Sequence, residues 1–379
     1  MAAGQRACPS CGLPFLAPAT AVPEAPPPGS PRLLLAAALA GVISIVVAFL
    51  VLKAAPPALE ARWRLQAGSD VVGAPEVDGG TLFVATREGA LVAVDTETGE
   101  ARWRFETGER VLASPVADRG LVYLTTEASA SGAGRLYSVD ARTGNEVWRA
   151  DLGEPATGRP VLGQGLIYVA AGDIVALDGV TGEQRWRGAV ESPVASLAAA
   201  SDRVVVALSN GLVALEEETG AERWSVPTDG LSLVTAVAAG DLMVLSNGTD
   251  TVVGRSPEDG AERWRVPEIT LVQPPVAAGQ VTVLATADGV VALDSESGNQ
   301  RWLVDSVGAD GDDATGVATD GQVVATTSVG RLILLRADTG EVIGEVDRVD
   351  EGRATPAVGN GRVYVAEGGT VEAFDRPAG

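Results

Sequence analysis

The chain has 379 residues and a formal net charge of −22, with 46% hydrophobic and 4% aromatic residues. A surface this acidic repels nucleic acid, and so few aromatic rings leave little for bases to stack on. The sequence contains no histidine, which removes the commonest general base and nitrogen metal ligand. We therefore expect neither a nucleic-acid-binding protein nor a histidine-dependent enzyme.

The first 17 residues carry both cysteines of the chain, Cys8 and Cys11, within the motif Cys-Pro-Ser-Cys-Gly. This motif resembles one knuckle of a zinc ribbon, in which two thiolates bind one side of a tetrahedral zinc ion. A closed structural site needs four ligands, so two copies of the chain would have to share the metal. Residues 1–17 are predicted as a zinc-ribbon-like head that binds zinc and forms a dimer. The alternatives are a degenerate ribbon and an incidental cysteine pair.

A membrane anchor is predicted after the head. Residues 18–32 are too rich in proline for helix or strand and are predicted as an extended linker. Residues 33–52 carry no charge, and as a helix they would cross about 30 Å of bilayer core. Because the polar segment before them is long for a signal peptide, we expect an uncleaved single-pass helix. Residues 53–59 are predicted as a short second linker.

The orientation of this anchor is predicted from the cysteines, which both precede residues 33–52. Free thiols are typical of a reducing compartment, whereas basic residues on both sides of the helix give little bias. We expect a cytoplasmic N-terminus, a single helix in the cell membrane and an extracytoplasmic C-terminal domain. The segment contains no Leu-x-x-Cys lipobox, which argues against a lipid anchor.

Residues 60–379 are predicted to be a repeat array marked by tryptophan. Six tryptophans end a common phrase, such as LVAVDTETGEARW at 91–103 and VVALDSESGNQRW at 290–302, and a seventh copy has Gly344 in the tryptophan position. The seven tryptophans, spaced by 40, 45, 38, 38, 40 and 38 residues, are Trp63, Trp103, Trp148, Trp186, Trp224, Trp264 and Trp302. Repetition near forty residues indicates stacked units of four strands.

Each unit is predicted to contain four antiparallel strands, A to D, as in A near 70–77, B near 81–87, C near 90–95 and D near 100–106. Prolines recur on strand A and predict that it is a sheet edge bordering a central channel, because proline lacks the donor that a central strand needs. The equivalent positions are Pro75, Pro115, Pro160, Pro275 and Pro356, with Ala198, Ala236 and Gly316 in the other three units.

The last unit is split between the two ends of the array. Residues 370–379 supply the first half of the phrase, and Glu60-Ala-Arg-Trp-Arg64 repeats residues 100–104 letter for letter. A strand near residue 61 can therefore complete the final sheet and remove an aggregation-prone edge. Residues 60–379 comprise 320 positions, or eight units of 40. The fold class predicted is all-β, an eight-bladed β-propeller closed by an N-terminal outer strand and preceded by one transmembrane helix.

The phrase resembles the repeat of the quinoprotein propellers, which include the pyrroloquinoline-quinone dehydrogenases and the outer-membrane assembly lipoprotein of Gram-negative bacteria. The resemblance implies that each tryptophan docks between neighbouring blades. For the dehydrogenases it also implies a calcium-bound quinone in the channel, a disulfide-linked cysteine pair and a catalytic aspartate. The array has no cysteine, and close to the proline positions only Glu76 and Arg159 ionise. We therefore expect no enzyme, no catalytic residue and no cofactor in the propeller.

Loop lengths predict which face of the disc binds partners. The two longest insertions, 127–134 and 306–313, emerge on the same face of a four-stranded meander. The acidic residues at 308–313 lack the terminal glutamate of an EF-hand loop and are predicted as a solvated turn. The N-terminal linker enters through the opposite face, so the insertions are predicted to point away from the membrane.

Three functions fit these patterns. The first is a non-catalytic scaffold that binds other envelope proteins through one propeller face, as the resemblance to the assembly lipoprotein implies. The second is a sensor of an extracellular small molecule or glycan, which would need polar groups in the channel. The third is a quinone-dependent dehydrogenase, which the channel residues disfavour. The scaffold is the function predicted.

Overall fold

The structure is a computed structural model that describes residues 56–127, 132–200, 202–227, 235–239, 241–247, 250–286, 288–305, 316–328, 330–347 and 354–377. The described residues form eight sheets of four strands each. The predicted head, with Cys8 and Cys11, and the predicted helix at 33–52 lie outside them. The described part of the chain contains no helix with the length and hydropathy of a membrane span.

The strands are numbered in chain order. Blades 1 to 4 contain β2 (Glu76–Asp78), β3 (Thr81–Ala85), β4 (Ala90–Asp95), β5 (Ala101–Glu106); β6 (Val116–Asp118), β7 (Leu121–Thr126), β8 (Arg135–Asp140), β9 (Glu146–Asp151); β10 (Val161–Leu162), β11 (Leu166–Ala171), β12 (Asp173–Asp178), β13 (Gln184–Gly188); and β14 (Val194–Ala200), β15 (Arg203–Leu208), β16 (Gly211–Glu216), β17 (Glu222–Pro227). Blades 5 to 8 contain β18 (Thr235–Ala239), β19 (Leu242–Ser246), β20 (Thr251–Arg255), β21 (Glu262–Pro267); β22 (Val276–Ala278), β23 (Val281–Thr286), β24 (Gly289–Asp294), β25 (Gln300–Asp305); β26 (Gly316–Thr319), β27 (Val323–Ser328), β28 (Arg331–Arg336), β29 (Val342–Asp347); and β30 (Thr355–Gly359), β31 (Arg362–Glu367), β32 (Thr370–Asp375), β1 (Ala61–Gln66).

The blades form a closed ring. Each inner strand contacts the inner strand of the next blade, and β30 of blade 8 contacts β2 of blade 1. The outer strand of blade 8 is β1, which pairs antiparallel with β32 in the register Trp63↔Ala373 and Leu65↔Val371. The predicted propeller of eight blades, closed by strands from both ends of the array, is therefore confirmed.

The hydrophobic core is divided into eight clusters of the described residues, and each cluster lies between two neighbouring blades. The cluster between blades 1 and 2, for example, contains Phe83 and Leu91 from one sheet and Leu124 and Tyr137 from the next. Strands B and C are buried along almost their whole length, as in the burial of all five residues of β3. Such strands show little alternation because both faces of each sheet are covered.

The tryptophans lock adjacent blades together, as the repeat implies. In blade 1, the Trp103 indole Nε1–H donates a hydrogen bond to the Ala141 carbonyl oxygen of blade 2, at 3.0 Å. All seven indoles make the same bond to the next blade, at 2.7–3.1 Å. The ring covers the turn glycine of that blade: a Cβ on Gly144 would lie 2.6 Å from Trp103 Cδ2, and Gly144 has a φ of +75°. The Thr-Gly turn therefore needs glycine for its backbone conformation and for this close approach.

Blade 7 lacks the tryptophan, and the N-terminal segment fills its place. A Cβ on Gly344 would lie 2.8 Å from Leu59 Cδ2, and Leu59 is 7% exposed in the cluster between blades 7 and 8. The Leu59 N–H donates to the Glu345 carbonyl at 2.8 Å, and the Glu345 N–H donates to the Pro57 carbonyl at 3.2 Å. Residues 57–59 of the predicted linker therefore add a short parallel bridge to the outer edge of β29.

The prolines of strand A lie at the sheet edge, as predicted, and Pro75 directly precedes β2. Two of the equivalent positions were wrong by one residue. Ala198 pairs with Val205 in the way that Glu76 pairs with Phe83, so Leu197 takes the proline position in blade 4. In blade 7 the same comparison selects Val317 instead of Gly316. The cause in blade 4 is a bulge between Val194 and Ser196, which shifts the register.

Candidate functional site

The central channel contains a cavity of about 860 Å³ lined by the inner strands and the residues that precede them. Its wall is mainly apolar and includes Pro75, Pro275, Pro356, Val276 and Val317. The volume is within the range of small-molecule pockets, which combine an apolar lining with a few placed polar groups.

Glu76 and Arg159 are the charged residues among the described channel-lining residues. The Arg159 Nη2 and Glu76 Oε2 atoms are 3.7 Å apart, and the two side chains are 53% and 28% exposed. Burial raises the pKa of Glu76, although Arg159 and a hydrogen bond from the backbone of Ala117 act in the opposite direction. The sequence singled out both residues, and the fold brings them together although blades 1 and 3 carry them.

These residues do not match the ligand set of a calcium-held quinone. Calcium takes six to eight oxygen ligands, several of them carboxylates, whereas the described lining supplies one carboxylate. The described residues also contain no group of three or more histidine, cysteine, aspartate or glutamate side chains placed to hold a metal ion.

The loop face is defined here as the end of the disc that carries the D-to-A and B-to-C connections, such as 107–115 and 86–89. Leu112 is exposed on this face (36%), and its N–H donates to the Thr125 carbonyl at 3.2 Å. Ion pairs surround it: Arg110 with Glu127 at 2.8 Å, and Arg135 with Glu109 and Asp151. Residues 128–131 and 306–315 of the predicted insertions lie outside the described residues.

The turn face is defined as the opposite end, with the A-to-B and C-to-D turns, and its acidity has a structural origin. The Asp95 Oδ1 atom accepts hydrogen bonds from the N–H groups of Glu97 and Thr98, both at 2.9 Å. With Arg102 bonded to its other oxygen, the pKa of Asp95 falls to about 2. Bonds from Ser297 and Arg301 lower the pKa of Asp294 to about 2 in the equivalent turn of blade 6. These aspartates stabilise the turns that receive the tryptophans.

A second, acidic cavity of about 690 Å³ lies on the turn face between blades 3 and 4. Glu217 occupies its floor with 6% exposure, and the Gln164 N–H donates to its carboxylate at 3.3 Å. Burial raises the pKa of Glu217. Sequence reasoning missed this residue because Glu217 stands in an acidic run, Glu216 to Glu218, that is typical of a solvated turn.

The comparisons with known proteins agree with this geometry. A comparison with curated proteins finds no significant match. Among solved structures, BamB from Moraxella catarrhalis is 18% identical, with a TM-score of 0.66 over 84% of this chain and 99% of that chain. The computationally designed Ika8 protein is 16% identical, with a TM-score of 0.70 over 82% of this chain and 98% of that chain.

A quinohemoprotein alcohol dehydrogenase from Comamonas testosteroni is also similar, at 16% identity and a TM-score of 0.63 over 85% of this chain and 77% of that chain. Identities this low show the fold alone. The family model described as outer membrane protein assembly factor BamB matches residues 55–133, 132–267, 209–311 and 286–379, which together span the whole ring. The chain therefore belongs to the BamB family of repeat propellers.

Proposed function

We propose that this protein is a membrane-anchored, extracytoplasmic scaffold that binds other proteins of the cell envelope through its loop face and carries out no catalysis. The observation that carries this proposal is the family match across all eight blades, since the family is described as an assembly factor. A closed ring also suits the task, because its connections are presented by a rigid frame.

The path of the N-terminal segment supports this choice of face. Residues 57–59 run parallel to β29, which begins at the turn face, so the chain enters the ring from that side. A membrane helix at residues 33–52 would then hold the turn face toward the bilayer and leave the loop face accessible. Leu112 offers an apolar contact there, and its surrounding ion pairs resemble the polar rim of a protein interface.

The test is site-specific photo-crosslinking of the full chain in its native membrane. A photoreactive phenylalanine analogue replaces Leu112 on the loop face in one variant and Val180 on the turn face in the other. Both residues are exposed and apolar, at 36% and 67%, so the two positions differ mainly in the face that they report. We expect crosslinks to one or a few envelope proteins from position 112, and few or none from position 180.

Equal crosslinking from both positions would contradict the use of the loop face. Crosslinks from position 180 alone would assign binding to the turn face and reverse the proposed orientation. Capture of the same partner by a chain that carries Leu112→Glu would also count against the proposal, because a buried carboxylate at an interface should weaken association.

A further inference from the structure

We propose that the channel is a binding site for a small organic carboxylate with an apolar body, held by an ion pair with Arg159 and by contact with the proline-rich wall. This site is distinct from the contacts proposed for the loop face. The inference concerns binding alone and includes no reaction step.

The anionic end of the ligand follows from the state of the two charged residues. Arg159 is about half exposed, and among the described residues its one ion pair is the 3.7 Å contact with Glu76. A guanidinium carries five N–H donors in a fork that matches a carboxylate, and a contact of 3.7 Å is too long to satisfy them by a direct hydrogen bond. Glu76 is less exposed and already accepts a backbone hydrogen bond from Ala117. The positive group is therefore the more available of the two.

The apolar body follows from the remainder of the wall. Below the charged pair, the cavity is lined by residues that offer van der Waals contact but few donors, among them Pro275, Pro356, Val276 and Val317. The nearby Gln273 side chain already donates to the Val317 carbonyl at 3.0 Å, and Ser114 Oγ already accepts from the Ala74 N–H at 2.9 Å. A ligand with polar groups along its length would lose hydrogen bonds to water without replacement. A single anionic end on an apolar body avoids that cost.

Glu76 makes the proposal sharp, because its removal should act in the opposite direction to removal of Arg159. Glu76 competes with an incoming carboxylate for the guanidinium and repels it. A Glu76→Gln chain should therefore bind the anion more tightly, and an Arg159→Gln chain should bind it more weakly. General damage to the fold would weaken binding in both variants.

The experiment is calorimetric titration of the full chain in detergent with 2-naphthoate and with the neutral 2-naphthylmethanol, against micelles without protein. We expect the wild-type chain to prefer the anion and Arg159→Gln to weaken naphthoate binding by about tenfold or more. Naphthylmethanol binding should stay within about twofold, and Glu76→Gln should strengthen naphthoate binding. The matched control is Arg87→Gln, since Arg87 is 54% exposed and lies 3.9 Å from Asp70, outside the lining of the channel.

Equal affinity of the wild-type chain for the two probes would overturn the proposal. So would a Glu76→Gln chain that binds naphthoate no better, or an Arg87→Gln chain that loses as much as Arg159→Gln. If Arg159→Gln does not fold, Arg159→Lys replaces it and should give an intermediate loss, because lysine keeps the charge without the fork.

Discussion

At the scale of single residues, the repeat phrase is a set of matched contacts across the gap between blades. The aspartate fixes the turn, the turn glycine makes room, and the indole of the preceding blade covers that glycine and binds the turn carbonyl, as Trp264 does with Ser295 at 3.0 Å. The acidity that the composition shows is therefore partly structural. Asp95 and Asp294 stabilise turns by accepting hydrogen bonds in their charged form.

This arrangement predicts the response of the protein to acid. Because the folded-state pKa of Asp95 and Asp294 is lowered to about 2, the unfolded chain binds more protons as the pH falls. The stabilisation is complete above about pH 4 and is lost as the pH falls toward about 2. A chain with Asp95→Asn and Asp294→Asn should be less stable at neutral pH and should lose stability more gradually between about pH 5 and pH 2, as measured by denaturant unfolding.

A control is available at an equivalent turn. Val180→Thr changes an exposed C-to-D turn residue (67%) without touching a titratable group, so its curve of stability against pH should parallel that of the wild-type chain. The interpretation of the two aspartates would be wrong if the double variant also gave a parallel curve.

At the scale of elements, the segment before β1 completes the one interface that lacks a tryptophan. Leu59 occupies the space beside Gly344 and packs with Val363 and Phe374 of blade 8. The backbone bonds at Pro57 and Leu59 hold the segment against β29. The residues that connect the predicted anchor to the ring are thus part of the hydrophobic core.

Removing the Leu59 side chain should weaken the interface between blades 7 and 8. We expect Leu59→Ala to lower the free energy of unfolding by about 2 to 5 kcal/mol, because the site is buried and loses both transfer energy and packing. Leu59→Met conserves the volume and should cost less than about 1.5 kcal/mol. Denaturant midpoints of the full chain measure both changes, and an equal, small effect of the two substitutions would mean that Leu59 does not act as a core residue.

At the scale of the whole molecule, closure of the ring depends on blade 8, where strands from the two ends of the array meet. Arg362 joins this blade to blade 1: its side chain is 8% exposed and pairs with Glu97 at 2.6 Å and with Asp375 at 3.0 Å. The bond to Arg362 lowers the pKa of Glu97. Arg62 also pairs with Asp375 at 3.0 Å, but both of those side chains are about half exposed.

The two arginines should therefore differ in their effect on closure. Arg362→Ala should destabilise the ring by roughly 1 to 3 kcal/mol, because it removes charged hydrogen bonds and buried packing. Arg62→Ala should cost at most about 1 kcal/mol, as is usual for an exposed ion pair. Equilibrium unfolding compares them directly, and similar losses for the two variants would show that burial of Arg362 adds nothing to closure.

Much of this architecture could be predicted from the sequence because the repeat is local. Each phrase of about forty residues contains the turn, the glycine and the tryptophan of its own blade, and the copy at Glu60–Arg64 identified its partner near residue 370. The β-bulge that shifts Leu197 into the proline position of blade 4 has no comparable signal. The two charged residues of the channel could be singled out, but their distance could not.

The sequence by itself therefore determined the number of blades, their order, the strand that closes the ring and the role of the tryptophans, since each rests on a pattern repeated along the chain. Only the tertiary structure decided what happens where the pattern is broken. Leu59 replaces a missing tryptophan, Glu217 is buried within an acidic turn, and Glu76 meets Arg159 across the channel. Each depends on which side chains of different blades come into contact, and that is set by packing around the whole ring.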